Sequence, residues 1–220
     1  MKQTTEAIVL GLKKHSDKMS LLQVYTKSEG RLALQLYGAH GKHKIKAAYQ
    51  PLSIVELTYS DNPSKPFATV DTIDPVFLPE QVYADIRRQS IALFVTEMLM
   101  LTLTHPQKDE PIYEFLDDFV HELNGNPAPE NLHINFMMQL AELLGIGSPA
   151  EELTENLSPL TIHHSPLTIN HSPLTIHPSP LPLSRKTRQE ILRQLCDYYL
   201  THVDSFRLPK SLDILIEVFN

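Results

Sequence analysis

Ser20-Leu21-Leu22-Gln23-Val24-Tyr25-Thr26 and Arg31-Leu32-Ala33-Leu34-Gln35-Leu36-Tyr37 are two short runs of alternating character, separated by Lys27-Ser28-Glu29-Gly30. Apolar side chains at every second position are what a strand with a buried face requires. Ser28-Glu29-Gly30 supplies turn residues, so the pair reads as a hairpin. Working outward, Thr5-Glu6-Ala7-Ile8-Val9-Leu10-Gly11-Leu12 precedes it, and Leu52-Ser53-Ile54-Val55-Glu56-Leu57-Thr58-Tyr59 and Phe67-Ala68-Thr69-Val70-Asp71-Thr72-Ile73 follow, with Asp61-Asn62-Pro63-Ser64 as the turn between the last two. Five short strands in so few residues cannot build a sandwich and suit a small closed barrel.

The connection leaving the third strand carries the densest charge of the chain, Gly38-Ala39-His40-Gly41-Lys42-His43-Lys44-Ile45-Lys46. Met1 to Gln50 hold nine Lys and Arg against three acids, a local net of +6 in a chain whose net charge is -7. Such an asymmetry marks a surface for a polyanion, most often nucleic acid. The commonest small barrel of this kind, the oligonucleotide-binding barrel, places its ligand across strands two and three and the adjoining loops. Candidate contacts are therefore Arg31, Lys42, Lys44 and Lys46, with Lys13, Lys14 and Lys18 on the first connection and Tyr25, Tyr37 and Tyr49 interleaved. Cations attract phosphates, and aromatic faces stack bases at about 1–3 kcal/mol each. One loop lysine is ordinarily only solvated, and one tyrosine is as well explained by core as by a stacking platform. The clustering is what points to DNA or RNA.

Near residue 80 both the charge and the period change. Residues 1–80 carry a net of +2, residues 81–156 a net of -10 and residues 157–220 a net of +1. Around Asp74-Pro75-Val76-Phe77-Leu78-Pro79 the hydrophobic period passes from two to about 3.6. The expected organisation is α+β, strands first: a five-stranded barrel over residues 1–78, a helical domain beginning at 79–156, and its last helices at 184–220. Helices are expected over Pro79–Thr104, from Asp109-Glu110-Pro111 where acids and Pro suit a first turn, over Pro129–Leu144 stopping at Gly145, over Ser184–His202 with Ser184 as cap, and over Pro209–Phe219.

Between them, residues 157–183 hold a repeat. Ser158-Pro159-Leu160-Thr161-Ile162-His163-His164 recurs as Ser165-Pro166-Leu167-Thr168-Ile169-Asn170-His171 and Ser172-Pro173-Leu174-Thr175-Ile176-His177-Pro178. Its seven-residue period is not a coiled coil, because Pro in every unit costs about 3 kcal/mol and a helix hydrogen bond. The units are too short for a solenoid, so the segment is expected to be an extended or disordered insertion, a product of in-frame repeat expansion.

Composition excludes several classes. Hydrophobic content of 42% is enough for a normal core. The single cysteine, Cys196, allows neither a disulfide nor a four-thiolate zinc site and reads as a buried helix residue. There is no phosphate-loop, dinucleotide, zinc-protease or nucleophile-elbow motif. Asp117-Asp118 and Glu151-Glu152 read as solvated helix faces. His15, His40 and His43 read as part of a cationic surface. His163, His164, His171 and His177 lack a fixed scaffold for a metal. The expectation is no enzyme, no catalytic residue, no cofactor and no metal. The start lacks a signal-peptide pattern, and the longest apolar run, Ile91 to Leu103, is interrupted by Glu97 and too short to span a bilayer, so the expected location is the cytosol.

One family shares these features. Glu6-Ala7-Ile8-Val9-Leu10, Ser16-Asp17, Val24-Tyr25-Thr26, Gly30-Arg31-Leu32, Tyr37-Gly38-Ala39 with its basic tail, and Gln50-Pro51-Leu52 leading to Val55-Glu56-Leu57 resemble the RecO recombination-mediator family. Cys196-Asp197-Tyr198-Tyr199-Leu200-Thr201-His202, Leu208-Pro209-Lys210-Ser211-Leu212 and Leu215 are similar to its C-terminal end. The resemblance implies an oligonucleotide-binding barrel with a helical domain and a non-enzymatic role in bacterial recombinational repair. That role comprises binding single- and double-stranded DNA, annealing complementary strands, and working with RecR to load RecA on DNA coated by single-strand-binding protein. It implies a protein monomeric on its own and associated with the nucleoid, without a membrane. Arg31, Lys42, Lys44, Lys46, Lys13, Lys14, Lys18 and Tyr37 are the DNA-contact residues to expect. Two departures stand out: the proline repeat occupies the place of the family's zinc cysteines, so no zinc is expected, and His40 stands where relatives tend to have Arg, implying weaker, pH-dependent DNA affinity. The rival reading is an adaptor whose barrel binds a protein, with salt-insensitive binding and no DNA affinity.

Overall fold

The computed structural model describes residues 2–16, 19–37, 47–61, 64, 66–149 and 184–219. Five strands, β1 (Lys2–Lys14), β2 (Met19–Thr26), β3 (Gly30–Tyr37), β4 (Ile54–Ser60) and β5 (Thr69–Phe77), form a closed barrel in the order β1-β2-β3-β5-β4. β1 serves two neighbours. Its first half pairs with β4 from Lys2↔Ser60 to Ile8↔Ile54, its second half pairs with β2 from Ala7↔Thr26 to Lys14↔Ser20, and a bulge between Val9 and Gly11 bends it from one to the other. Closure is made by β3 and β5, which run parallel and pair only at Gln35↔Thr69.

The expected hairpin closes at Thr26↔Gly30. The Thr26 hydroxyl accepts from the Glu29 amide at 3.1 Å and donates to the Gly30 carbonyl at 2.9 Å. Gly30 lies at φ +72°, and any side chain there would collide with the backbone carbonyl of Gln107. Only glycine meets both demands.

β5 extends beyond the expected Phe67–Ile73, taking in Asp74 to Phe77, which the change of period assigns to a boundary. Pro75 is tolerated because it pairs with Val55 beside a register shift, on a strand whose other edge is largely unpaired.

Alternation along the strands feeds two cores. Ala7, Val9, Leu22, Val24, Leu34, Leu36, Val55, Leu57 and Tyr59 fill the barrel. Their neighbours Ile8, Leu10, Tyr25, Leu52 and Ile54 belong to the core of the helical part. The chain passes from strand to helix between Phe77 and Glu80, yet packing continues across that point. Tyr25 and Tyr49 are both buried and so are core rather than stacking platform.

Among the described residues the helices are α1 (Glu80–Ala84), α2 (Ile86–Thr102), α3 (Glu110–Gly125), a 3-10 turn (Pro129–Asn131), α4 (Leu132–Leu143), α5 (Arg185–His202) and α6 (Leu212–Val218). The helix expected over Pro79–Thr104 is in fact two. Asp85 is extended (φ -121°, ψ 121°), and its carboxylate accepts from the Arg87 amide at 2.9 Å, so it ends one helix and caps the next. Asp109 and Ser184 cap α3 and α5, and Gly145 follows α4 at φ +69°.

Side chains from distant elements tie the helix ends. Arg88 donates to the carbonyls of Leu123 and Asn126 at 3.0 and 2.9 Å, at the end of α3. Glu97, the one charge in the Ile91–Leu103 run, accepts from the Lys210 amide and the Ser211 amide and hydroxyl at 2.7–3.0 Å, just before α6. Burial alone would raise the Glu97 pKa, but these donors outweigh it and hold the carboxylate below its usual range. Asp117 and Asp118, expected on a solvated face, are half-buried, and desolvation raises both. Cys196 is buried as expected, its thiol pushed up to about 12 by burial. The repeat at 157–183 lies outside the described residues.

Candidate nucleic-acid interface

Directly opposed residues in an antiparallel pair share a face. The register therefore puts Tyr25 with Arg31, Gln23 with Ala33, Leu21 with Gln35 and Met19 with Tyr37 on the outer face of β2 and β3, with Lys13 opposite Leu21 on β1. This is the face where an oligonucleotide-binding barrel takes its ligand. Its two ends differ.

At the Tyr25–Arg31 end, the segment joining α2 to α3 lies over the strands. Arg31 Nη1 donates to the carbonyls of Met100 and Leu103, both at 2.8 Å, and Nη2 donates to Gln23 Oε1 at 3.4 Å. The guanidinium thus ends α2, where dipole and unpaired carbonyls favour a cation. Burial lowers its pKa, without making it neutral. Tyr25 donates to the Asp109 carbonyl at 3.4 Å, and Tyr113 of α3 donates to Glu6 at 2.8 Å with Lys27 Nζ 5.5 Å from its ring. Arg31 is expected on the DNA face. It lies on that face, but its guanidinium is engaged in the seam with the helices.

At the other end, Lys13 and Lys14 are exposed near the tip of β1 and Tyr37 is 52% exposed at the tip of β3. Met19 lies opposite Tyr37, and the Tyr37 hydroxyl donates to Gln35 Oε1 at 3.2 Å. With strands about 4.8 Å apart, β1 and β3 are separated by roughly 10 Å here. Lys13, Lys14 and Tyr37 therefore share one rim, and the basic segment begins directly after Tyr37. Lys18, Lys42, Lys44 and Lys46 lie outside the described residues. Register also brings Met19 to the Lys13–Tyr37 patch, with Leu21 and Gln35 on the same face but buried. The two-residue period of β2 and β3 carried that information, but charge alone did not select them.

Among the described residues no group of His, Cys, Asp and Glu is arranged to hold a metal ion, and no helix is long and apolar enough to cross a membrane.

A closed barrel with a cationic, tyrosine-bearing rim, joined through its outer face to a helical domain, defines an oligonucleotide-binding-fold protein with a helical extension. Comparison with known proteins narrows the class. Residues 1–78 match the family described as Recombination protein O N terminal, and residues 83–151 match Recombination protein O C terminal. The chain is 28% identical over 237 residues to the DNA repair protein RecO of Flavobacterium johnsoniae and 27% over 241 residues to that of Flavobacterium psychrophilum, covering 100% of both chains each time. It is also 27% identical over 244 residues to the DNA repair protein RecO of Porphyromonas gingivalis strain W83, covering 98% of each. The chain belongs to the RecO family of DNA repair proteins.

Proposed function

We propose that this protein is a non-enzymatic recombination mediator that binds single- and double-stranded DNA and anneals complementary single strands. The observation that carries this reading is the shared rim of Lys13, Lys14 and Tyr37, from which the segment bearing Lys42, Lys44 and Lys46 departs. Cations held there neutralise phosphates and release counterions, so binding is strong at low salt and nearly blind to sequence. Two strands brought together with reduced repulsion can pair. On this reading the acidic helical part, net -10 over residues 81–156, repels DNA and is left for proteins. RecR, single-strand-binding protein and the RecA–DNA filament are the partners proposed, and the nucleoid of the bacterial cytoplasm is the place.

The test is fluorescence anisotropy with a labelled single-stranded oligonucleotide across a salt series, with an annealing assay on the same preparation. The expected result is an affinity that falls linearly in log salt, by about 0.7 per phosphate contacted, together with accelerated annealing. Absence of binding at low salt would overturn the reading and leave an adaptor in its place. Release of RecA from inhibition by single-strand-binding protein, with RecR present, tests the mediator step separately.

A further inference from the structure

Register puts Arg31 on the outer sheet face, yet its bonding draws the guanidinium away from the surface. Over that end of the face runs a strap, residues 103–109, which joins α2 to α3. It crosses the β2–β3 hairpin closely: a Cβ on Gly30 would stand 2.0 Å from the Gln107 carbonyl oxygen. One end is tied where the Leu103 carbonyl accepts from Arg31 Nη1 at 2.8 Å, and the other where the Asp109 carbonyl accepts from the Tyr25 hydroxyl at 3.4 Å.

Between its ends the strap is loosely held. Thr104, His105, Pro106, Gln107 and Lys108 are all exposed, and their one hydrogen bond among the described residues is internal, between the Thr104 hydroxyl and His105 Nδ1 at 2.8 Å. Thr104 and Pro106 border an open space together with Gln23 and Ala33, so there the strap stands off the strands. Exposed backbone with so few bonds opens locally at low free energy. Arg31 is not committed to the strap alone. Its other carbonyl partner, Met100, belongs to α2, and a guanidinium has five N–H donors, enough to keep that bond and meet a phosphate as well. Arg31 and Tyr37 lie six residues apart on β3, a distance of about 20 Å along the strand.

We propose that the strap of residues 103–109 is an autoinhibitory contact. In place, it keeps Arg31 from the DNA and confines the bound strand to the Lys13–Tyr37 rim. Lifted, it lets Arg31 add a phosphate contact at the far end of the same face. The proposal rests on the DNA-binding reading above.

The test compares the full-length protein with two variants that loosen the strap: a Gly-Ser-Gly-Ser insertion between Pro106 and Gln107, and Pro106→Gly combined with Gln107→Gly. Binding to a labelled single-stranded oligonucleotide is measured by anisotropy across a salt series. One more phosphate contact is expected to steepen the log–log slope by about 0.7 and to tighten binding at 0.1 M salt about fivefold. Arg31→Gln, which keeps a donor for the α2 carbonyl, is expected to cancel both gains in the loosened chains. A merely disturbed fold gives no gain that depends on Arg31. Loosened chains with the wild-type slope and affinity, or a gain that survives Arg31→Gln, overturn the proposal. If the insertion does not fold in urea titration, the double substitution decides; if neither folds, the strap is a structural tie and the proposal is rejected. Failure of the wild type to bind any single strand at low salt rejects the DNA reading itself, a result distinct from binding that ignores the strap.

Discussion

The two ends of one sheet face behave differently. Arg31 and Tyr25 occupy the same outer face of β2 and β3 as Tyr37 and Met19, six residue pairs away along the ladder. At the first end the aromatic and the cation are drawn into a seam, bonded to carbonyls of Asp109, Met100 and Leu103. At the second, Tyr37 is half exposed and Lys13 and Lys14 are exposed. A basic residue beside an aromatic on a strand thus has two physical uses, to cap a helix or to meet a phosphate. What decides between them is which other segment of the chain crosses that part of the face.

The sharpest way to break this comparison is at the open end. Replacing Lys42, Lys44 and Lys46 together by Ala should remove up to three phosphate contacts, lowering the log–log salt slope by about 2 and single-strand affinity at 0.1 M salt by on the order of 100-fold. The unfolding midpoint should not move. An unchanged slope would return the segment to the status of solvated surface.

The reciprocal change is Arg31→Ala. It strands the carbonyls at the end of α2 and unties the helices from β3, which should cost about 2–3 kcal/mol in urea unfolding. The salt slope for DNA should stay that of the wild type. A loss of slope without a loss of stability would place the guanidinium on the DNA instead.

What could be read in advance follows the same division. The five strands, the turn at Gly30, the caps at Asp109 and Ser184 and the stop at Gly145 were legible because each depends on neighbours within a few residues. The break at Asp85 was not, since a capping Asp inside an apolar-periodic stretch looks like one more polar face residue. Nor was the use of Arg31: its acceptors are 69 and 72 residues away in the chain. Glu97 looked like an interruption of an apolar run, and its purpose lies at Lys210 and Ser211. Charge clustering found Lys13, Lys14 and Tyr37. Only the register shows that they share a rim.

Acid should separate the two regions by a smaller amount. His133 of α4 is buried beside Phe94 and Phe219, its Nδ1 has no hydrogen-bond partner among the described residues, and desolvation, then Arg188, depresses its pKa to about 3. Its folded pKa lies below the unfolded value of 6.5, so the stability it contributes is complete above pH 6.5 and is lost as pH falls from there toward 3. Its contribution to the slope is about 0.7 kcal/mol per pH unit at pH 6.5 and approaches about 1.4 a pH unit lower. Glu122, raised to about 6 chiefly by burial, acts the other way between its folded pKa and 4.5, gaining stability on protonation, so the net slope should flatten below pH 6. The His133→Leu variant should lose the decline that begins at pH 6.5. Phosphate attraction at the rim should not decline in step with the helical core. A parallel fall in both, measured on protein still folded, would mean that the rim depends on the helical core.

The smallest effect makes the finest test. Lys13 and Lys27 are both exposed lysines at strand ends of the barrel, but Lys13 shares the outer face with Leu21 and Gln35, whereas Lys27 sits over the Tyr113 ring at the seam. Neither should matter to stability by more than about 0.5 kcal/mol, for Lys13 because it is exposed and for Lys27 because an exposed cation–π contact is weak. Lys13→Ala should reduce the DNA salt slope by about 0.7 and affinity at 0.1 M salt by roughly fivefold, while Lys27→Ala should leave the slope unchanged. Global charge is altered equally by the two, so any difference between them reports position alone. If both lower the slope to the same degree, the polyanion responds to the net charge of the barrel and the distinction between its two ends has no functional meaning. If only Lys13 does, the path of the strand is fixed to the β1–β3 rim, and the covered end is left to hold the helices in place.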